Sequence, residues 1–291
     1  MDIGIRSKEA PPQAKPRGRS SDVCRLLEES AARLPLTDVY CLLGHATGKR
    51  REFLLAHPEY ILKPQELCRW EEYKKRRILG EPCAYITGKK EFYSLLFNVN
   101  RHTLIPRPET ELLVDEVVAR SPSGVLDVGT GCGNIAVAVK SRLKDCEVVA
   151  LDSSRRALET AERNARRILG TDAVTFIHSS FYEKLEERLF DVIVSNPPYV
   201  MHGEIASLQR EITEYEPHGA LDGGEDGLDA YRSILGEGGR FLTRGGTIVL
   251  ETDGRLIDGI RFLALQNGYI IEKAKKDLAG KIRMAVLRKM Q

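Results

Sequence analysis

The chain has 291 residues, room for two domains, and its 44 Lys plus Arg against 42 Asp plus Glu leave a formal charge of +2. That balance argues against a protein held to nucleic acid by bulk charge and against an acidic disordered solvator, and 42% hydrophobic residues can bury a core. No run approaches the ~20 apolar residues of a membrane span.

The first twenty residues combine Pro11, Pro12, Pro16 and Gly18 with five basic side chains. They read as a disordered tail, with a weak phosphate-binding arm as the functional alternative. They also lack the apolar stretch of a signal peptide. The six cysteines (Cys24, Cys41, Cys68, Cys83, Cys132, Cys146) form no CxxC pair. Together these features imply a soluble, cytoplasmic protein in a reducing compartment.

From Asp22 to about Lys90 apolar residues recur at helical spacing: Val23, Leu26 and Leu27, then Thr37–Leu43, Arg50–Ala56 and Gln65–Leu79. Gly44, Gly48, Pro58, Pro64 and Gly80 punctuate them into short helices of a small bundle. Trp70, the only tryptophan, shares a helical face with Leu67 and is expected to pack in that bundle. Lys74-Lys75-Arg76-Arg77 reads as a solvated basic face, with contact to an acidic partner as the alternative. No titratable cluster marks residues 21–90, which read as a recognition module.

At Glu91–Arg101 the period changes to that of a β-hairpin, followed by an irregular linker to Thr110. Strands and helices then alternate. The strands are expected over Val125–Val128, Glu147–Leu151, Val174–His178, Asp191–Ser195, Gly246–Glu251, Tyr269–Ala274 and Arg283–Arg288. Between them lie expected helices Glu111–Ala119, Ile135–Leu143, Arg155–Leu169, Asp229–Phe241 and Arg255–Asn267. Such alternation implies an α/β, doubly wound, mostly parallel sheet, whose ligands sit at the carboxyl ends of strands.

Two motifs lie at such ends. Asp127-Val128-Gly129-Thr130-Gly131-Cys132-Gly133-Asn134 closes the first strand of the sheet, and Asp152 closes the next. The glycines permit a tight turn close to a ligand, and a strand-end carboxylate suits a ribose. The spacing is GxGxG rather than the dinucleotide GxGxxG, which favours a nucleoside cofactor without phosphate, S-adenosylmethionine, over NAD. Asn196-Pro197-Pro198-Tyr199 ends the fourth strand. Its prolines are rigid and leave their carbonyls free. The Asn196 amide oxygen and the Pro197 carbonyl are therefore suited to grip the two hydrogens of a planar NH2 group while Tyr199 stacks on its face. That grip aligns a weak nitrogen nucleophile with an electrophilic methyl.

With these motifs the chain resembles the HemK/PrmC-type protein-glutamine N5-methyltransferases, which methylate peptide chain release factors. The resemblance runs from about Asp22 onward. It includes Gly80-Glu81-Pro82-Cys83-Ala84-Tyr85-Ile86-Thr87-Gly88, Leu104-Ile105-Pro106-Arg107-Pro108-Glu109-Thr110-Glu111, Tyr215-Glu216-Pro217, Gly223-Gly224-Glu225-Asp226-Gly227-Leu228 and Asp277-Leu278-Ala279-Gly280-Lys281.

The resemblance implies a class I methyltransferase-type doubly wound seven-stranded sheet with its last strand antiparallel, preceded by a small helical bundle and a β-hairpin linker. The domains would be a tail (1–20), a helical substrate-recognition domain (21–90), a hairpin and linker (91–110) and the methyltransferase domain (111–291). It further implies donor contacts from Gly129, Thr130, Gly131, Cys132 and Gly133, from Asp152 on the ribose, from Phe181 on the adenine, and from Asn196. Asn196, Pro197, Pro198 and Tyr199 would hold the acceptor glutamine, with Arg107 and Glu109 lining the approach. Ser180 stands where relatives often carry an acidic residue.

The implied reaction moves a methyl group from S-adenosylmethionine to the glutamine amide of the release-factor Gly-Gly-Gln motif. The alternative enzymatic reading is an adenine-N6 methyltransferase on DNA or RNA, since an exocyclic amine suits the same tetrapeptide. A non-catalytic donor-binding module is the alternative of a different class. Neither metal nor membrane is expected: the six histidines lack metal spacing, and Asp222, Glu225 and Asp226 lack that of a calcium loop.

Overall fold

The computed structural model describes residues 21–170 and 173–290, so the expected tail over residues 1–20 lies outside the described residues. The chain divides between Leu79 and Gly80 into two compact units.

The first unit is a small helical bundle. Helix α1 (Val23–Ala31) begins where the Asp22 carboxylate accepts the Arg25 N–H at 2.9 Å. Helix α2 (Leu36–Thr47) ends on Gly48, whose φ of 69° is the left-handed turn that glycine adopts without strain. Helix α3 (Arg51–Ala56) is short, and α4 (Pro64–Ile78) starts on a proline, whose missing N–H would have had no helical partner. Glu66 accepts the Lys63 N–H at 2.9 Å at that start. Trp70 is fully buried, as expected of a packing residue. The basic run is held within its own surface: Lys74 pairs with Glu71 at 2.7 Å, and Arg77 reaches Asp38 on α2 at 2.7 Å.

In the second unit, α5 (Cys83–Thr87) leads into the hairpin of β1 (Lys89–Phe92) and β2 (Leu95–Asn98). Tyr93 and Ser94 turn it with φ of 53° and 59°, a twist that matches paired strands. The remaining elements are α6 (Glu111–Arg120), β3 (Gly124–Val128), α7 (Asn134–Arg142), β4 (Glu147–Asp152), α8 (Arg155–Leu169), β5 (Thr175–His178) and β6 (Phe190–Ser195), then α9 (Arg210–Tyr215), α10 (Asp229–Gly238), β7 (Leu242–Glu251), α11 (Ile257–Gln266), β8 (Tyr269–Lys276) and β9 (Ile282–Lys289).

The seven-stranded sheet has the order β5-β4-β3-β6-β7-β9-β8. Strands β3 to β7 pair in parallel, and β9 runs antiparallel to both of its neighbours. The doubly wound sheet with an antiparallel last strand is therefore present. Two apolar clusters cover its faces, one with α6 and α7, the other with α10 and α11.

The largest boundary departure lies between α10 and β7. The helix expected to reach Phe241 stops at Gly238, and the strand expected from Gly246 starts at Leu242. The Gly238-Gly239 pair stops the helix, and Phe190 pairs with Leu242 four residues before Gly246.

Candidate active site

The sheet order places the carboxyl ends of β4, β3 and β6 side by side. The two sequence motifs and Asp152 are therefore neighbours although they lie up to 69 residues apart.

The β3–α7 turn is a backbone device. Gly129, Gly131 and Gly133 have φ of 75°, 58° and 82°. A Cβ on Gly133 would also stand 3.1 Å from the Ala161 Cβ of α8, so the loop packs against that helix. The Gly129 and Thr130 N–H groups both donate to the Leu151 carbonyl at 2.9 Å, which ties the turn to the end of β4. Asp127 is fully buried beneath it. Its Oδ2 accepts the Thr130 hydroxyl at 2.7 Å and the Ala136 N–H at 3.2 Å, and burial pushes its carboxyl up to about 7.

Asp152 ends β4 with both oxygens engaged by backbone. Oδ2 accepts the Gly131 N–H and Oδ1 the Ser154 N–H, each at 2.8 Å. Burial raises its pKa, while these two donors hold the carboxylate in place and oppose the rise.

A cavity of about 460 Å³ opens on these groups. Gly129, Thr130, Gly131, Cys132, Asp152 and Phe181 line it together with Asn196, Pro197 and Pro198. Ile135, Ala157, Ser179, Ser180, Thr103 and Leu104 complete much of the wall. Phe181 holds its ring there from a φ of 45°, a conformation that a bulky side chain rarely adopts. The Cys132 thiol is buried and pushed up to about 12, so it carries no thiolate at neutral pH.

Four expected site residues lie outside the lining. Gly133 is turned against Ala161. Tyr199 sends its hydroxyl to Glu251 Oε1 at 3.4 Å instead of into the cavity. Arg107 is engaged by Glu216, which is buried and accepts its Nη2 at 2.5 Å and the Ile105 N–H at 3.2 Å. Glu109 is absent from the lining too; burial pushes the Glu251 carboxyl up to about 7, and the nearby Glu109 charge adds in the same direction.

The segment after the tetrapeptide folds back on it. Val200 bridges to Asp222, and a Cβ on Gly223 would come within 2.8 Å of the Tyr199 Cα. Pro217, Gly219 and Ala220 of this segment reach the cavity wall. Two of its carboxylates are engaged, Asp222 by His202 at 2.9 Å and Asp226 by Arg232. Among the described residues no group of three or more His, Cys, Asp or Glu could hold a metal ion.

Sequence reasoning missed Thr110 and Glu251. Thr110 Oγ1 donates to Glu251 Oε2 at 2.5 Å and accepts from Asn196 Nδ2 at 3.3 Å. Glu251 ends parallel strand β7, the same placement that singled out Asp152, so the rule was sufficient to find it.

The sequence profile described as the PrmC N-terminal domain matches residues 21–88, and that described as the methyltransferase small domain matches residues 108–225. A release factor glutamine methyltransferase of Rhodopirellula baltica is 36% identical over 285 residues, covering 92% of this chain and 96% of that protein. The chain belongs to the release factor glutamine methyltransferase family. Members of this family take their methyl group from S-adenosylmethionine, and the cavity fits that group: a strand-end carboxylate, a glycine turn and an apolar ring surround it without a lysine or arginine to neutralise a phosphate.

The family is also joined to larger proteins. A bifunctional methyltransferase of Rickettsia typhi is 37% identical over 280 residues, covering 89% of this chain and 54% of that protein. The chain thus spans about half the length of the bifunctional relatives it matches. A solved methyltransferase from Pyrococcus furiosus superposes with a TM-score of 0.53 at 20% identity, over 76% of this chain and all of that one, and shares the fold.

No helix among the described residues is long and apolar enough to cross a membrane.

Proposed function

We propose that this member of the release factor glutamine methyltransferase family methylates the side-chain amide nitrogen (N5) of the Gly-Gly-Gln glutamine in peptide chain release factors, and so supports translation termination in the cytoplasm. The observation that carries the reading is the meeting of Asn196-Pro197-Pro198 with Asp152 and the Gly129–Cys132 turn around one cavity.

The bound donor supplies a methyl group made electrophilic by its sulfonium. Asp152 would hold the ribose hydroxyls, Phe181 would cover the adenine, and the glycine turn would admit the remainder against backbone. The Asn196 amide oxygen and the Pro197 carbonyl accept the two N–H groups of the acceptor amide. They hold its nitrogen in line with the methyl and draw positive charge from it as the N–C bond forms and the donor's C–S bond breaks; one of the two amide protons then leaves to solvent, so that a neutral N-methylamide remains. The rigid Pro197-Pro198 step keeps that carbonyl from turning away. Tyr199, anchored to Glu251, braces the tetrapeptide from below. Arg107 serves the approach by neutralising Glu216, and Glu109 by its charge beside Glu251. Residues 21–90 act as the recognition domain for the release factor, residues 91–110 as the linker, and residues 111–291 as the catalytic domain. No metal takes part in this scheme, and the family assignment does not favour the adenine-N6 alternative.

Purified protein with labelled donor and a release factor should place one methyl group on the Gly-Gly-Gln glutamine, read by mass spectrometry of the peptide. Label appearing elsewhere in the factor but not on that residue overturns the substrate assignment. Asn196→Ala should lower kcat by about a hundredfold or more, and full activity in that variant overturns the mechanism.

A further inference from the structure

Asn196 can offer either end of its amide to the cavity, and the two ends have opposite chemistry. Only the oxygen accepts the N–H of an acceptor amide. What lies behind Asn196 therefore decides whether the tetrapeptide works. Against its inner end stands Thr110, 1% exposed and itself part of the cavity wall, and behind Thr110 stands Glu251, 2% exposed at the end of β7.

A threonine hydroxyl has one hydrogen. With Glu251 ionised, Thr110 gives it to Glu251 Oε2 at 2.5 Å, the length of a charge-assisted bond between oxygens. The remaining capacity of Thr110 Oγ1 is to accept, and the group facing it at 3.3 Å is Asn196 Nδ2. A proton count along the row thus turns the Asn196 nitrogen inward and leaves Oδ1 for the cavity. Glu251 is itself fixed by the Tyr199 hydroxyl on its other oxygen at 3.4 Å, while Tyr231 donates to its backbone carbonyl at 2.8 Å. Such a row also explains why a carboxyl side chain is kept in a site that charges it for desolvation.

We propose that Thr110 and Glu251 are positioning residues that set the Asn196 amide with its oxygen toward the acceptor nitrogen. The inference rests on the methyl-transfer role of Asn196 given above and extends it to Thr110, beside Asn196 in the cavity wall, and to Glu251, outside that wall.

The test compares Thr110→Val and Thr110→Ser in the full chain, with a release factor and labelled donor. The valine keeps the bulk and removes the hydroxyl; the serine keeps the hydroxyl. Thr110→Val should lower kcat by about tenfold with donor affinity within about threefold of the unaltered protein, and Thr110→Ser should stay within about twofold. In an Asn196→Ala background, Thr110→Val should add no further loss. Thr110→Ala, read against Thr110→Ser, supplies the same comparison if the valine disturbs folding. The proposal is overturned if Thr110→Val keeps kcat within twofold, if the serine is as impaired as the valine, or if the loss persists undiminished without Asn196. Full activity of Asn196→Ala alone would instead remove the role on which the proposal stands, and that result is read before Thr110 is altered.

Discussion

Asn164 holds the carbonyl of Cys132. The side chain is fully buried on α8, and its Nδ2 donates at 2.9 Å to that carbonyl and to the carbonyl of Asn98. Its Oδ1 accepts the Asn98 N–H at 2.8 Å. One amide therefore joins the hairpin strand β2 to the glycine turn through a helix.

Removing that amide leaves three backbone groups without a partner. Asn164→Leu, which fills the space without the polar atoms, should destabilise the protein by about 3 kcal/mol, since each buried unsatisfied group costs roughly 1–3 kcal/mol and some will rehydrate. Chemical denaturation measures the loss. Donor affinity should fall with it, because the Cys132 carbonyl no longer has a fixed direction.

Arg107 offers a second measurement. It neutralises Glu216, whose side chain is 1% exposed, while Arg107 itself is 34% exposed. Arg107→Ala leaves a buried carboxylate with only the Ile105 N–H, and should cost about 2 kcal/mol after allowance for the exposed half of the pair. Arg107→Ala combined with Glu216→Gln should recover part of that loss. Equal denaturation midpoints for the single and double variants would show that the buried charge is not what matters.

Acid–base behaviour gives a third. Asp127 has its carboxyl pushed up to about 7 by burial, against an ordinary carboxylate value of 3.8. The folded protein therefore binds the Asp127 proton more tightly than the unfolded chain does. Its contribution is fully present below about pH 4 and is lost as pH rises through 7. Asp127→Asn keeps an oxygen for the Thr130 and Ala136 donors but has no proton to lose. Its thermal midpoint should fall less between pH 5 and pH 8 than that of the unaltered protein. Parallel curves for the two would rule the assignment out.

The middle of the sheet was legible because β3, β4, β6 and β7 each carry their own signal: an apolar run closed by glycine, a carboxylate or the Asn-Pro-Pro step. The same local signal exposed Asp152 and the Asn196 tetrapeptide. Glu251 carried that signal too and was passed over; the other residues that escaped had none. Asn164 sits mid-helix in a row of charged residues and reads as solvent-facing, and its partners Asn98 and Cys132 lie 66 and 32 residues away. Tyr199 was expected to stack on the acceptor because it adjoins Asn196 and Pro197. The two prolines carry the chain past the end of β6, however, and Glu251 at the end of neighbouring β7 takes the Tyr199 hydroxyl. Arg107 was placed along the approach from its motif, and only the fold brings Glu216 to it.

The strand order also sets a length. Strands β4 and β6 are both hydrogen-bonded to β3, so the tips that carry Asp152 and Asn196 are two strand spacings apart, about 10 Å. That distance is a property of the backbone ladder, not of any loop, and no side-chain substitution alters it. The sheet is thus a fixed ruler laid between the nucleoside end of the site and the end where the amide is gripped. An engineered donor with a longer bridge between its nucleoside and its transferable group would have to bulge away from the sheet, since neither end can move to meet it.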